Sequence, residues 1–385
     1  MKAAAFVFAA MFVAATATPA RAQLGGLGKI KGAADKAIDT KGKIDDMNFT
    51  DAEEKQLGEQ VSLKLRDRFG VYQDEKVTKY VTLVGTVLAQ ASTRPTLDWK
   101  FIVLDTDGVN AYAAPGGFVH VTRGLLGLMK NEAELAGVLG HEITHITAKH
   151  TIRAIQKSKG ISAASDLSGT GASGRTQFIT KLSGMAFDKL FEGEFSREDE
   201  NESDKIGTQI SNKTGYLPSG IADVLKKIDA RNAANTSRNG GWFASHPDTK
   251  DRIDKNGKQI ASEKLTSKAT VDARYKSMIT FDAKAITEVT TVDDGASGLS
   301  SGSKKKGDEP KAADPKQAEA DKKKGGFGSE SVGGGKQQAA SQQASSAGAR
   351  GATPDRDAKG GPNKSPLGVK LTPAELEAFK KGIVG

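Results

Sequence analysis

The chain has 385 residues, 27% of them charged, and it contains no cysteine. This length allows one sizeable domain with extensions, or two domains, and the lack of cysteine excludes a disulfide framework. The formal net charge of +9 is concentrated in residues 301–370, which carry almost no large apolar side chains. We interpret this excess as a solvated tail and expect no nucleic-acid partner, while weak peripheral contact with anionic polymers or a membrane surface stays open.

Residues 1–22 have the pattern of an export signal. Lys2 precedes a short apolar run, and Ala20-Arg21-Ala22 matches a small-x-small cleavage site. The run is too short to span a bilayer comfortably, and no later segment is long and apolar enough to do so. We therefore expect an exported mature chain without a transmembrane segment, with an uncleaved membrane anchor as the alternative.

Composition divides the rest of the chain into four parts. Residues 23–49 are a flexible Gly- and Lys-rich leader, and residues 50–290 have the mixed composition of a globular domain. Residues 291–369 form a linker of Gly, Ser, Lys and Gln that is too poor in apolar side chains to fold. Residues 370–385 predict a short amphipathic helix, which is unstable alone and is expected to dock on the domain or on a partner.

Within the domain the patterns predict mostly helices. Thr50 and Glu53 have the spacing of a capping box at the start of the first helix. Apolar stripes and turn residues predict the later elements. The predicted strands are Trp99–Asp105 and Phe118–Thr122; the later helices cover residues 77–91, 131–149, 178–191, 198–213 and 218–231; a Gly/Ser-rich loop covers 160–175 and a polar loop covers 232–250.

The sequence His-Glu-Ile-Thr-His begins at His141 and lies inside a predicted helix. Two histidines at i and i+4 point to the same side of a helix. His141 and His145 can then bind one zinc ion while Glu142 reaches a metal-bound water; two structural histidines on an amphipathic helix are the alternative. A catalytic zinc keeps three protein ligands and one open position. His150 is expected on the opposite side of the same helix, which leaves His246 or an acidic residue as the third ligand.

A second motif is carried by the run Ser-Arg-Glu-Asp-Glu-Asn-Glu-Ser-Asp that begins at Ser196. With the His-Glu-x-x-His sequence it resembles the HtpX and CAAX-prenyl-protease family of zinc metallopeptidases, and in particular the soluble, exported bacterial branch of these gluzincins. The match covers about residues 50–265. Ser203 departs from the pattern, where Ala is usual.

The resemblance implies that Glu200 is the third ligand of one zinc ion, beside His141 and His145. Asp204 follows Glu200 by one helical turn and is expected to accept a hydrogen bond from a ligand histidine; an ordinary surface carboxylate is the alternative. Zinc is favoured over other divalent metals by the two histidines and one carboxylate.

The segment that begins at Asn110 resembles the edge strand beside the cleft in this family. Such a strand can bind a substrate backbone as a further strand of the sheet. We expect Phe118–Thr122 to be this edge strand, with substrate contacts from Asn110, Gly117 and Phe118. Because side chains alternate along a strand, His120 is expected to be a strand-surface residue and not a ligand.

His246 lies in the polar loop and precedes Pro247, and with Arg252-Ile253 it resembles the family's His-Pro segment. One hypothesis places it near the open metal position, as a transition-state donor or as a reversible fourth ligand that silences the resting enzyme. A structural His-Pro turn is the other interpretation.

The predicted fold class is α+β: a mainly helical, zincin-like domain with a small sheet whose edge strand borders the active-site cleft. The predicted function is zinc-dependent endoproteolysis of polypeptides in the periplasm. The resemblance implies quality control of misfolded or misassembled envelope proteins. Two alternatives stay open, a latent chaperone-like binding protein whose site is occluded by the His246 loop, and an adhesion or peptidoglycan-associated protein that uses the basic tail.

Overall fold

A computed structural model describes residues 49–158, 172–192, 195–233, 246, 249–289 and 369–384. The expected export signal, the leader up to residue 48 and the linker up to residue 368 lie outside these residues. The helices and strands are α1 Asp51–Phe69, α2 Glu75–Gln90, β1 Lys100–Leu104, β2 Ala111–Ala114, β3 Phe118–Thr122, α3 Arg123–Leu128, α4 Glu132–Thr147, α5 His150–Ser158, α6 Ala172–Glu192, α7 Arg197–Lys213, α8 Gly220–Ala233, α9 Thr249–Ser262, α10 Asp272–Met278 and α11 Pro373–Val384.

The predicted class, mainly helical with a small sheet, is confirmed. Helix α6 begins earlier than the sequence pattern indicated, because residues 172–175, which were expected to belong to a Gly/Ser-rich loop, are helical. Among the described helices, none combines the length and the apolar composition needed to cross a bilayer.

Helix starts follow the capping residues of the sequence. The Thr50 hydroxyl accepts a hydrogen bond from the Glu53 amide, and the Glu53 carboxylate accepts one from the Thr50 amide, which is the predicted capping box. At the start of α4, the Asn131 side chain accepts from the Glu134 amide at 2.9 Å. The Glu134 carboxylate accepts from the backbone amide of Lys130 and from the side-chain amide of Asn131, so the reciprocal backbone bond is shifted by one residue.

The sheet has the order β1-β3-β2, with β1 parallel and β2 antiparallel to β3. The expectation that Phe118–Thr122 is an edge strand is therefore wrong, because β3 is the central strand and β2 is an edge. Strand β2 was not predicted from its own residues, although it lies in the segment from Asn110 that resembles the family's edge strand. Its four residues, Ala-Tyr-Ala-Ala, are mostly small and lack the β-branched side chains that indicate a strand.

Both faces of the sheet are covered. Val119 and Val121 pack into a core that includes α2 and α4, whereas Phe118 packs into a core that includes α1 and α6. The sheet face bearing His120 is covered as well, so the expectation that His120 is a surface residue is wrong: its side chain is fully buried, with Nε2 2.9 Å from the Ser62 hydroxyl on α1. Burial lowers the pKa of His120 to about 3, so the ring is neutral.

Helix α4 stops after the second histidine of the motif. Lys149 has a left-handed backbone conformation, with φ of 56°, and a new helix begins at His150. The expectation that His150 continues the same helix on its opposite side is therefore wrong. The break turns the His150 ring back, and its Nδ1 lies 2.9 Å from Nδ1 of His145.

The C-terminal helix α11 docks on the domain, which was one of the two expected outcomes. Its apolar stripe joins the core that contains α2, and the Phe379 ring lies 6.2 Å from the ring of Tyr80. The Arg274 guanidinium lies 3.9 Å from the centroid of Phe379 and also binds the buried carboxylate of Glu132, the first residue of α4. Helix α11 is thus linked to the start of the helix that carries the His-Glu-x-x-His sequence.

Candidate active site

Two glycines allow α4 and α7 to pack closely behind the site. A Cβ atom on Gly207 would lie 2.7 Å from the backbone nitrogen of His141, and one on Gly140 would lie 2.9 Å from the Gly207 carbonyl oxygen. Any side chain at either position would therefore push the helices apart. The close packing brings the carboxylates of Glu200 and Asp204 within reach of the histidines.

Four side chains converge at one point. Nε2 of His141 lies 3.0 Å from Nε2 of His145 and 3.3 Å from Nδ1 of His246. Glu200 Oε1 lies 2.9 Å from that nitrogen of His246 and 3.4 Å from Nε2 of His145. One ligand atom from each of the four side chains lies within 4.8 Å of the other three.

These distances fit a metal centre. Ligand atoms around a tetrahedral ion at the usual zinc–nitrogen distance are separated by about 3.4 Å. Neutral imidazoles whose unprotonated nitrogens face one another gain nothing by themselves, because two lone pairs repel. The buried donor set of three imidazoles and one carboxylate therefore matches a site that binds a cation.

Asp204 orients His141. Its Oδ1 lies 2.9 Å from Nδ1 of His141. Burial alone would raise the pKa of Asp204, but the charge of Arg252 and the hydrogen bonds outweigh burial and lower the pKa to about 2. The anion accepts the Nδ1 proton of His141, and the Nε2 lone pair then faces the cluster. Burial lowers the pKa of His141 to about 3, which keeps that ring neutral.

Arg252 is a site residue that the sequence did not reveal. Its buried guanidinium lies 2.7 Å from Glu200 Oε2 and contacts both oxygens of Asp204, at 2.7 and 2.8 Å. It therefore compensates two buried negative charges. The sequence contained only an indirect signal, the position of Arg252 shortly after His246-Pro247.

Glu142 lies beside the cluster and is almost completely buried. Its Oε1 is 3.7 Å from Nε2 of His246, and within the described part of the chain this oxygen has no hydrogen-bond partner. Burial raises the pKa of Glu142 to about 8. An unpaired, buried carboxylate oxygen with a pKa near neutrality is suited to bind a polar reactant and to exchange a proton with it.

The three residues expected to contact substrate lie in or next to strands β2 and β3 and not in the histidine cluster. Asn110 is buried at the start of β2, where its side-chain oxygen accepts from the amide of Ala111. Gly117 has φ of 105° in the turn before β3, and Phe118 packs into the core. Ala113 of the edge strand β2 lines a small pocket together with Pro115 and His145.

Comparison with known proteins agrees with this geometry. Residues 75–258 match peptidase family M48. The beta-barrel assembly-enhancing protease of Escherichia coli K12 is 25% identical over 210 residues, which cover 52% of this chain and 42% of that protein. Metalloprotease YcaL of the same strain is 28% identical over 165 residues, or 43% of this chain and 63% of YcaL. The mitochondrial metalloendopeptidase OMA1 of Schizosaccharomyces pombe is 30% identical over 185 residues, or 46% of this chain and 51% of OMA1.

The chain spans less than two thirds of the length of each of these relatives. The matched region contains α4, α7, His246 and Arg252, and so the whole buried cluster. The resemblance that the two sequence motifs indicated is thereby confirmed. Over residues 75–258, this chain is similar to peptidase family M48.

Proposed function

We propose that the chain is a zinc-dependent endopeptidase that hydrolyses peptide bonds of polypeptides. The observation that carries this proposal is the convergence of His141, His145 and Glu200 beside Glu142, whose Oε1 has no hydrogen-bond partner among the described residues. Two imidazoles and one carboxylate form a donor set that suits zinc. Because the ligand atoms converge at one point, one ion is the proposed stoichiometry.

The protein residues divide the chemistry between them. A zinc ion bound by the three ligands would polarise both a water molecule and the scissile carbonyl. Glu142 accepts the proton of that water and then delivers it to the nitrogen of the leaving amine. Asp204 holds the tautomer of His141, and Arg252 holds Glu200 and Asp204 in place.

For His246 we propose the role of a reversible fourth ligand. Its Nδ1 lies 3.3 Å from His141 Nε2 and 2.9 Å from Glu200 Oε1, close to the spacing of ligand atoms around one ion. This spacing supports the role of a ligand over that of a transition-state donor in the conformation described. In this arrangement the His246 ring takes the position that a substrate carbonyl needs. A latent, chaperone-like binding protein is the second candidate function, and the same position of His246 favours it.

For the substrate we propose an unfolded or misassembled polypeptide of the bacterial envelope, met in the periplasm after export by residues 1–22. The name of the Escherichia coli relative, which refers to β-barrel assembly, supports this class. We assign the backbone contact to β2 because it is an edge strand of the sheet and its Ala113 lines a small pocket with His145. We propose that Asn110, which precedes β2, and Gly117 and Phe118, which follow it, contact the substrate at the two ends of this strand.

The test is casein degradation by the purified chain from residue 23 onwards, with its zinc content measured in parallel. We expect one zinc per chain, loss of cleavage after a chelator removes it, and recovery when zinc is returned. Cleavage that persists in the metal-free chain would contradict the proposal. A chain that holds one zinc without cleaving would instead favour the latent binding protein.

A further inference from the structure

We infer that His150, together with Glu202 and Asp199, is a positioning relay that selects the tautomer of His145 and holds its ring. The inference rests on the proposed metal site, because His145 is one of its ligands. None of the three relay residues is itself a ligand in that site.

The contacts form a continuous chain from α7 to His145. Nδ1 of His150 lies 2.9 Å from Nδ1 of His145, and the two rings are nearly perpendicular, at 82°. On the other side of the ring, Nε2 of His150 lies 3.0 Å from Glu202 Oε2 and 3.5 Å from Asp199 Oδ1. Both histidine side chains are buried, so solvent does not offer them alternative partners.

Counting protons selects one arrangement. A neutral imidazole carries one N–H, and two nitrogens 2.9 Å apart need one proton between them. If His150 supplied this proton, the lone pair of its Nε2 would face two carboxylates. If His145 supplies it, Nε2–H of His150 donates to Glu202 and both nitrogens of the His150 ring are satisfied. The Nε2 lone pair of His145 is then directed at the metal cluster.

Both ligand histidines of α4 are thus oriented by carboxylates of α7. Asp204 contacts His141 directly, at 2.9 Å. Glu202 and Asp199 do not contact His145 directly, because the ring of His150 lies between them and His145. The helix break at Lys149 is what turns the His150 ring to this position. The break is therefore part of the relay, because an uninterrupted α4 would direct His150 away from His145.

Two neighbouring side chains hold the relay. Arg153 Nη2 lies 3.0 Å from Asp199 and 3.2 Å from Glu202, which fixes both carboxylates beside the ring. The Ser203 hydroxyl lies 3.3 Å from Nδ1 of His150 and borders the ring on the side of α7. Ser203 stands where the resemblance expects alanine. Because the guanidinium already contacts both carboxylates, we assign this group to positioning and not to a second cation.

The first test measures zinc affinity by competition with a chromophoric chelator. His150→Phe keeps a ring but removes both nitrogens, and we expect it to weaken zinc binding by about 10- to 100-fold. His150→Asn keeps an acceptor near the position of Nδ1, so we expect it to recover part of that loss. Glu202→Gln should weaken zinc binding less than His150→Phe, because Asp199 remains. Glu198→Gln, at an exposed position in the same turn of α7, is the matched control and should leave the affinity unchanged.

The second test observes the tautomer itself in the metal-free chain, by long-range proton–nitrogen NMR after labelling of its 5 histidines. We expect His145 to be protonated at Nδ1 in the wild type and in His150→Asn, and to shift toward Nε2 protonation in His150→Phe. A role in packing alone would not move this signal.

Three results would overturn the relay. They are unchanged zinc affinity in His150→Phe, a His145 tautomer that is the same in all variants, or two zinc ions per wild-type chain with one lost in His150→Phe, which would make the relay a cation site. A wild-type chain that binds no zinc would contradict the proposed function instead, while the NMR measurement would still decide on the relay.

Discussion

The guanidinium of Arg252 lies 2.7 Å from the Glu200 carboxylate, and both side chains are buried. The same guanidinium binds Asp204 through two nitrogens, so one cation holds a proposed zinc ligand together with the residue that orients His141. Removing one partner from a buried ion pair leaves an uncompensated charge, which is strongly destabilising.

We therefore expect Arg252→Met to reduce the free energy of unfolding by about 3 to 5 kcal/mol and to abolish peptidase activity. Arg252→Lys should be intermediate, because a lysine keeps the charge but cannot bind two carboxylates with a planar fork. Urea unfolding of each variant measures the effect. Lys255→Met is the control, since its ion pair with Asp251 is half exposed and should contribute less than about 1 kcal/mol. Equal losses in Arg252→Met and Lys255→Met would contradict this role.

Burial of His120 predicts a pH dependence of stability. Its pKa is lowered from 6.5 to about 3 in the folded chain. Between these pH values the unfolded chain binds the additional proton, so stability rises with pH and is lost as the pH falls from 6.5 toward 3. We expect His120→Gln, which can keep the hydrogen bond to Ser62, to flatten the slope by as much as about 1.4 kcal/mol per pH unit.

The measurement is urea unfolding of wild type and His120→Gln between about pH 4 and pH 7. The quantity to compare is the slope of the free energy of unfolding against pH and not its value at one pH, because the substitution also changes packing at every pH. Parallel stability curves would show that His120 titrates normally and is not buried as described.

Docking of α11 predicts that the C-terminal helix stabilises the domain. Phe379 packs against Tyr80 and under the guanidinium of Arg274, so Phe379→Ala should reduce the free energy of unfolding by about 3 kcal/mol. Lys381→Ala, at an exposed position of the same helix, should have almost no effect. Thermal unfolding of the two variants checks this, and equal midpoints would place α11 off the domain in solution.

The position of His246 predicts an activating substitution. If its Nδ1 is a fourth ligand, His246→Ala should lower the zinc affinity and raise the rate of casein cleavage, because the open position becomes available. A lower rate with unchanged zinc affinity would support a transition-state donor instead. An unchanged rate and affinity would leave His246 as a structural residue of the His-Pro turn.

The features that the sequence predicted correctly are those set by neighbouring residues. The capping box of Thr50 and Glu53 and the apolar stripe of α2 depend on contacts within one or two helical turns. The two motifs on α4 and α7 also have fixed spacing within a helix. The pairing of these motifs came from the family resemblance, because no local rule joins His141 to Glu200.

The features that were missed depend on packing between distant segments. Strand β2 is formed by small residues that pair with β3, and its propensity is weak outside that context. His120 alternates as predicted, but the coverage of both sheet faces cannot be read from a single strand. His150 was misplaced because one left-handed residue, Lys149, ended the helix without a glycine or proline to mark the break.

The most direct test of the central claim is the substitution Glu142→Gln. The described structure gives its Oε1 no hydrogen-bond partner to lose, so the variant should fold and bind one zinc as the wild type does. We expect casein cleavage to fall by at least about 100-fold, the usual contribution of a general base. A zinc-loaded Glu142→Gln chain that cleaves casein at the wild-type rate would contradict the assignment of this site as the peptidase centre.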